Sequence, residues 1–502
     1  MIRRTHLGLV LAFSMLPLSL GYADVSLPAI FSDHMVLQQD TKVPVWGWAD
    51  PGEEVRVEIG GQTKTAKAGE DGSWSLKLDS LKPGKPTTMK VAGKNEITIN
   101  DVLVGEVWLG SGQSNMAMTV NRANDYAGEQ KKADLPSIRM FKETSGSSPT
   151  PAKAGNGEWQ VCSADTVGGF SATLFFFGRE IHAEANVPVG LINSSVGGTP
   201  IEAWIDADAQ RADQNLQPFF AASQGRKPVD LATLKANYER ALERYQAAAK
   251  KAKAEGKPLP RKPRDPVAAQ SRKGNVGGLF NGKIAPLIPY AIRGAIWYQG
   301  EANSTPEKAK YYQYQLPLLI QDWRKRWGYD FPFAWAQLPN YSGNGRDWPT
   351  VREAMLKTLS VPKTGMGINI DIGDTKDIHP KNKQEVGRRL ALWALGTVYE
   401  AEVAAVSGPL PDGHEVQGDK IVIRFKHAEG LESSGGPLVG FEITGDGENW
   451  HPAEAEIDGE SVVVSSKKVD QPTAVRYAWT NDPKTNLFNG AGLPATPFRT
   501  NP

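Results

Sequence analysis

Cysteine is nearly absent. Cys162 is the only one in 502 residues, which excludes an internal disulfide and any thiolate metal cluster. An excess of charge of one sign is missing too: 57 Lys+Arg balance 56 Asp+Glu to a net +1, so the basic surface of a nucleic-acid-binding protein is excluded. With 40% hydrophobic and 23% charged residues the chain is not of the disordered class. Beyond the N-terminal segment no apolar run approaches the about twenty residues a membrane span needs, so stable membrane insertion is not expected. The strand-turn-helix elbow G-x-S-x-G occurs nowhere, which argues against the α/β-hydrolase fold. No internal repeat is present.

What is there begins with an export signal. Arg3 and Arg4 precede an apolar run over 7–20, and Gly21-Tyr22-Ala23 supplies small residues for cleavage, so 1–23 reads as a signal peptide and Asp24 as the mature start. The expected location is periplasmic or secreted. The length predicts two to four domains. The 51 Gly, 35 Pro and 14 Trp describe turn-rich β structure with aromatic surfaces of the kind that meets sugar rings; composition alone does not separate a sugar enzyme from a lectin.

Short alternating stretches broken by turn signals, such as Val43-Pro-Val-Trp-Gly-Trp48 before Asp50-Pro-Gly52, read as an N-terminal β-sandwich over 24–101. From 102 apolar strands (102–109, 187–193, 295–298, 333–338, 367–372) alternate with helices (171–185, 306–327, 348–359, 383–399), so the core is α/β with a mostly parallel sheet covered on both faces. It is read in two parts, 102–206 and 274–406. Between them, 207–273 reads as a helical insertion, with Leu234, Tyr238, Leu242 and Tyr245 at helical spacing and Pro258, Pro260, Pro263 and Pro266 breaking the chain. The run Lys250-Lys251-Ala252-Lys253 reads as a solvated helix face. Short strands return over 407–502 as a C-terminal β-rich region.

A neutral-pH general base is most often a histidine. Of seven, His6 leaves with the signal, His34 lies in the first β region, and His414, His427 and His451 lie in the last. His182 falls inside a helix and reads as a packing residue. His379 ends Asp371-Ile-Gly-Asp374-Thr-Lys-Asp377-Ile-His379, a loop between strand and helix, where α/β sheets place their sites. No second core histidine or cysteine joins it, so no metal is expected. A nucleophile is offered by Gly110-Ser-Gly112-Gln-Ser114-Asn-Met116, whose glycines allow a sharp turn after an apolar strand. Donors for a developing oxyanion are offered by Gly197-Gly198-Thr199, through backbone N–H groups, and by Gln299 and Asn303 in Tyr298-Gln-Gly-Glu301-Ala-Asn303.

In this order, Gly112-Gln-Ser-Asn-Met116, Gly197-Gly198-Thr199 with Ile201-Glu-Ala-Trp204, Trp297-Tyr-Gln-Gly-Glu301-Ala-Asn303 and Asp377-Ile-His379-Pro380, the chain resembles the SGNH-type carbohydrate esterases, above all the group labelled sialate O-acetylesterase. Phe31-Ser-Asp-His-Met-Val-Leu37, Val45-Trp-Gly-Trp48 and Gly278-Leu-Phe-Asn-Gly282 extend the likeness over most of the mature chain. The resemblance implies a flavodoxin-like, three-layer SGNH core flanked by the two β regions and carrying the insertion. It implies Ser114 as nucleophile and His379 as general base, the pair the residues themselves suggest. The oxyanion hole would use the N–H of Ser114, an N–H of Gly197 or Gly198, and an amide of Gln299 or Asn303. The family usually carries Asp three residues before the His, yet Lys376 stands there; Asp377 is favoured as triad acid, with Asp374 in reserve. Glu301 and Trp204 are left as substrate-contacting or supporting residues.

The chemistry implied is a two-step acyl transfer without metal or cofactor. The partner is an acetylated carbohydrate, either a hemicellulose oligosaccharide of xyloglucan or xylan type or an O-acetylated sialic acid. Trp204, Trp297, Tyr298 and Trp348 are candidates for a sugar-binding rim, and Arg352 and Glu353 are expected to pair with each other rather than reach substrate. The alternatives are a non-catalytic carbohydrate-binding protein and a lipase-like esterase.

Overall fold

The computed structural model describes residues 24–224, 231–255, 260, 262–263 and 275–500. The expected signal segment, with Pro258 and Pro266, lies outside the described residues.

The N-terminal region is built from short antiparallel strands, among them Val43–Trp48 paired with Ser73–Leu78, and Glu54–Ile59 paired with both Gln62–Lys67 and Thr87–Ala92. In Glu54–Ile59, Val55, Val57 and Ile59 point inward while Glu54 and Arg56 face solvent, the alternation of a sheet covered on one side. The region is joined to the core by one strand, β1 (Glu96–Gly112). Its first half pairs antiparallel with Thr87–Ala92 and alternates in exposure; from Val102 to Gly112 every residue is buried. That change marks the passage from a one-sided to a two-sided sheet.

The second half of β1 is the middle of the core sheet. Six further strands are β2 (Ile138–Glu143), β3 (Gly157–Val161), β4 (Val189–Ser195), β5 (Gly294–Tyr298), β6 (Phe333–Ala336) and β7 (Thr364–Gly367). Their spatial order is β7-β6-β5-β1-β4-β2-β3. All neighbours run parallel except β2 and β3, an antiparallel pair at one edge that the sequence pattern does not announce. Successive apolar residues point to opposite faces. Trp108, Leu191, Ile296 and Ala334 meet Leu174 and Phe177 of helix α2 (Ala172–Ala185) and Val386 and Leu390 of α6 (Lys383–Thr397). Leu109, Ile192, Trp297 and Trp335 meet Leu316, Leu319 and Trp323 of α4 (Tyr312–Trp327) and Val351 and Met355 of α5 (Trp348–Thr358). Each large apolar side chain buried this way contributes about 1.5–3 kcal/mol. Between these elements fall the short helix α1 (Ser114–Ala117) and α3 (Leu231–Ala254). On α3, Tyr238, Leu242 and Tyr245 form a half-buried stripe, while Lys250, Lys251 and Lys253 are exposed.

The C-terminal region packs Ile421, Ile423, Val462, Val464, Phe441 and Tyr477 into a core of its own. Arg352 fastens it to the α/β core. The guanidinium is fully buried and donates to the carbonyls of Leu338 (2.9 Å) and Pro339 (2.6 Å) on one side and Thr480 (2.8 Å) and Asn481 (2.9 Å) on the other. Burial pushes its pKa down to about 9. The expected Arg352–Glu353 pair is not formed: Glu353 instead binds Arg499, at 2.7 and 3.0 Å. Neighbouring positions on a helix point away from each other, so the two side chains find separate partners.

Candidate active site

Three strands end at one level. In register, Gly112 of β1 lies between Ser195 of β4 and Tyr298 of β5, so the three turns that follow share one edge of the sheet. Gly112 has φ +132°, and a Cβ there would stand 2.2 Å from the carbonyl oxygen of Tyr298. Only glycine fits. The chain bends at this point, Gln113 N–H donates to that same carbonyl at 2.9 Å, and Ser114 opens α1.

The Oγ of Ser114 lies 2.8 Å from Nε2 of His379, which sits in the loop between β7 and α6. The other ring nitrogen, Nδ1, is 3.7 Å from Oδ1 of Asp377, beyond hydrogen-bond reach. That same oxygen accepts the backbone N–H of His379 at 2.9 Å, so Asp377 shapes the loop and supplies a nearby charge. Asp374 is exposed; its carboxylate accepts the N–H groups of Lys376 (2.8 Å) and Asp377 (3.0 Å), which hold its pKa below the usual range. The imidazole is held below its ordinary pKa, first by burial and then by the positive charges of Lys383 and Arg122, with Asp377 opposing them. At neutral pH the ring is therefore the free base.

Gly197 stands beside Ser114: a Cβ added to it would meet Ser114 Cβ at 3.4 Å. Gly197 and Gly198 are both exposed, and neither N–H donates to another group among the described residues. The N–H of Ser114, in the first turn of a helix, has no intrahelical acceptor. The side-chain amides behave differently from expectation. Gln299 is fully buried and its Nε2 donates to Gln113 Oε1 (3.2 Å), the Thr199 carbonyl (3.2 Å) and Asn303 Oδ1 (2.7 Å). Asn303 is equally buried; its Nδ2 donates to Glu202 Oε2 (2.8 Å) and its Oδ1 accepts Ile201 N–H (2.9 Å). Both amides are spent on locking the second motif to the third. Glu202 itself is held by Lys308 at 2.6 Å.

Trp204, Trp297, Tyr298 and Trp348 are fully buried, so none forms a sugar-binding rim. Trp204 donates to Thr199 Oγ1 at 3.0 Å and packs edge-on against Trp297. Glu301 is buried beneath α1 and accepts Asn115 Nδ2 at 2.5 Å. Sequence reasoning passed over Gln113, Asn115, Lys383 and Arg122. The first two lay inside the quoted Ser114 motif; nothing local marks Lys383 or Arg122. Among the described residues no group of three or more His, Cys, Asp or Glu is arranged to hold a metal ion, and no helix is long and apolar enough to cross a membrane.

Known proteins are similar to this chain in sequence and in fold. The family model described as carbohydrate esterase, sialic acid-specific acetylesterase matches residues 104–256 and 282–395. The chain is 29% identical to human sialate O-acetylesterase over 98% of its own length and 96% of the relative's. The rat sialate O-acetylesterase is 27% identical, covering 93% of this chain and 92% of that one. Among solved structures, a carbohydrate acetylesterase from Xanthomonas citri is similar with a TM-score of 0.81 and 34% identity, over 95% of this chain and 99% of that one.

Proposed function

The chain belongs to the sialic acid-specific acetylesterase family of carbohydrate esterases and is a carboxylic ester hydrolase, and from that premise we propose that it releases acetyl groups from sugar hydroxyls through a serine nucleophile. The observation that carries the mechanism is the 2.8 Å contact between Ser114 Oγ and the free-base Nε2 of His379. His379 takes the proton as Ser114 Oγ attacks the ester carbonyl carbon. The N–H groups of Ser114, Gly197 and Gly198 receive the developing oxyanion. The imidazolium then returns its proton to the departing sugar oxygen, leaving an acetyl-enzyme. Water, deprotonated by the same ring, attacks the acetyl carbon and releases acetate.

The parallel strands read as the SGNH, flavodoxin-like order, with β2 and β3 added at one edge. The substrates are acetylated hemicellulose oligosaccharides or O-acetylated sialic acid. Arg122, exposed and near enough to act on His379 electrostatically, supports a place for an anionic sugar. Export with cleavage before Asp24 is part of the same reading: Val25 is buried and its N–H donates to Asn95 Oδ1 at 2.6 Å, so a mature chain keeps the whole N-terminal region.

The test is acetate release from both substrate classes side by side, with Ser114→Ala as blank. We expect turnover of at least one, lost by about a thousandfold or more in the variant. Wild-type rates in Ser114→Ala on an aryl acetate would remove Ser114 from the mechanism, silence on every ester would promote a binding protein, and preference for a long-chain ester a lipase.

A further inference from the structure

Directly under the Ser114–His379 contact lies a buried chain of polar groups that the acyl-transfer steps do not use. Lys383, at the start of α6, is fully buried, and Asn115 and Glu301 are 1% and 2% exposed. Among the described residues the three are joined by hydrogen bonds through the amide of Asn115. Its Oδ1 accepts Lys383 Nζ at 2.7 Å, and its Nδ2 donates both to Glu301 Oε1 at 2.5 Å and to the carbonyl of Ile378 at 3.0 Å. The orientation of the amide follows from its neighbours, since only its oxygen can face an ammonium and only its nitrogen a carboxylate. Asn115 directly follows Ser114, and Ile378 directly precedes His379. One amide therefore ties the turn carrying the hydroxyl to the loop carrying the imidazole.

We propose that Asn115 is a positioning residue, held between the buried Lys383 and Glu301, that fixes the His379 loop at reacting distance from Ser114. This rests on the acyl-transfer reading above. A cation and an anion removed from water need compensating hydrogen bonds, and an amide with one acceptor end and one donor end supplies them to both at once. No hydrocarbon could, and Asp would set two carboxylates against each other.

The charges also reach the imidazole. Lys383 and Arg122 press the His379 pKa down while Asp377 presses it up. Burial lowers Lys383 itself to about 7, against the pull of Glu301 and Asp377 and with the push of Arg122; its Nζ lies 5.1 Å from the ring centroid of Tyr298. Glu301 is raised by burial, against Asn115, Lys383 and Arg346. Lys383 is one of the positive charges that hold the His379 pKa down. Removing its charge raises the His379 pKa and moves the acid limb of kcat/KM to higher pH.

The experiment measures kcat, KM, pH profile and Tm on an aryl acetate for Asn115→Ala and Lys383→Met, with Ser114→Ala alongside. In Asn115→Ala we expect kcat to fall by about tenfold to a hundredfold with KM nearly unchanged, the cost of a misplaced base. Lys383→Met fills its site with a side chain of similar volume, so it keeps the question open if Asn115→Ala does not fold. Its acid limb should move up in pH. A wild-type kcat in folded Asn115→Ala, or an unmoved acid limb in Lys383→Met, overturns the proposal. If Ser114→Ala is inactive while the other two match wild type, only the positioning role falls; if Ser114→Ala is active, the acyl-transfer reading falls.

Discussion

A single imidazole must be unprotonated and aimed at a hydroxyl, and at the residue scale burial and three charged neighbours decide the first condition. Asp377 alone raises the His379 pKa, while burial, Lys383 and Arg122 lower it. Asp377→Asn therefore moves the acid limb of kcat/KM to lower pH, opposite to the change expected for Lys383→Met. Because Asp377 Oδ1 is 3.7 Å from Nδ1 and an Asn oxygen can still accept the His379 N–H, kcat should fall by only about tenfold, less than the roughly hundredfold or more that a general base itself contributes. An acid limb that stays in place would show that the charge of Asp377 is not felt by the ring. The meeting of Ser114 with His379 was legible in the sequence because hydroxyl, glycine and loop histidine each stand beside a strand end. The amides were not. Gln299 and Asn303 carry the right groups, but whether an amide faces a substrate or a neighbouring motif depends on long-range pairing to Gln113 and Glu202, which no local pattern encodes.

At the scale of elements, the site exists because β1, β4 and β5 end at one level and one of them turns where only glycine fits. Gly112→Ala combines positive φ with a contact of 2.2 Å to the Tyr298 carbonyl. The expected cost is about 3 kcal/mol or more, read by urea unfolding, with Ser114 displaced and activity lost in whatever folds. A Gly112→Ala protein of wild-type stability would mean that the turn is looser than described. Two helices were read nearly to their ends, 171–185 against Ala172–Ala185 and 348–359 against Trp348–Thr358, since caps and the 3.6-residue period are local, whereas the single helix expected over 306–327 is two, Pro306–Ala309 and Tyr312–Trp327. An apolar strand was expected over 367–372. The ladder stops at Gly367 because Asn369 Nδ2 takes the carbonyls of Gln337 (3.2 Å) and Gly367 (3.0 Å), and the chain leaves the sheet toward the His379 loop. The β2–β3 pair was missed for another reason: the one fully buried residue of Gly157–Val161 is Trp159, too little for an apolar period.

Across the whole molecule, both β regions are tied to the α/β core by buried polar groups rather than by linkers. Within the core half of β1, fully buried Glu106 accepts Gln39 (2.6 Å), Arg293 (2.6 and 2.9 Å) and Tyr399 (3.0 Å). At the other junction stands Arg352. Arg352→Met leaves four carbonyls without their donor and should lower stability by about 3–5 kcal/mol, with KM of the folded enzyme unchanged; a raised KM at unchanged stability would instead put the guanidinium on the substrate. Because β1 runs through both the N-terminal sheet and the core, the two should unfold in one calorimetric transition, and a separate low-temperature transition would show that the shared strand does not couple them. The alternation of strands and helices was plain in the sequence. The fastening of one region to the next was not, since it rests on single charged side chains whose burial is decided by the fold.

The proposed chemistry makes Ser114 a nucleophile activated by His379. The most direct measurement is mass spectrometric mapping of the protein after reaction with a fluorophosphonate, which labels activated serines. One adduct is expected, on the peptide containing Ser114, absent in Ser114→Ala and strongly slowed in His379→Ala. An adduct on another serine, or labelling of Ser114 that proceeds at the same rate without His379, would contradict it.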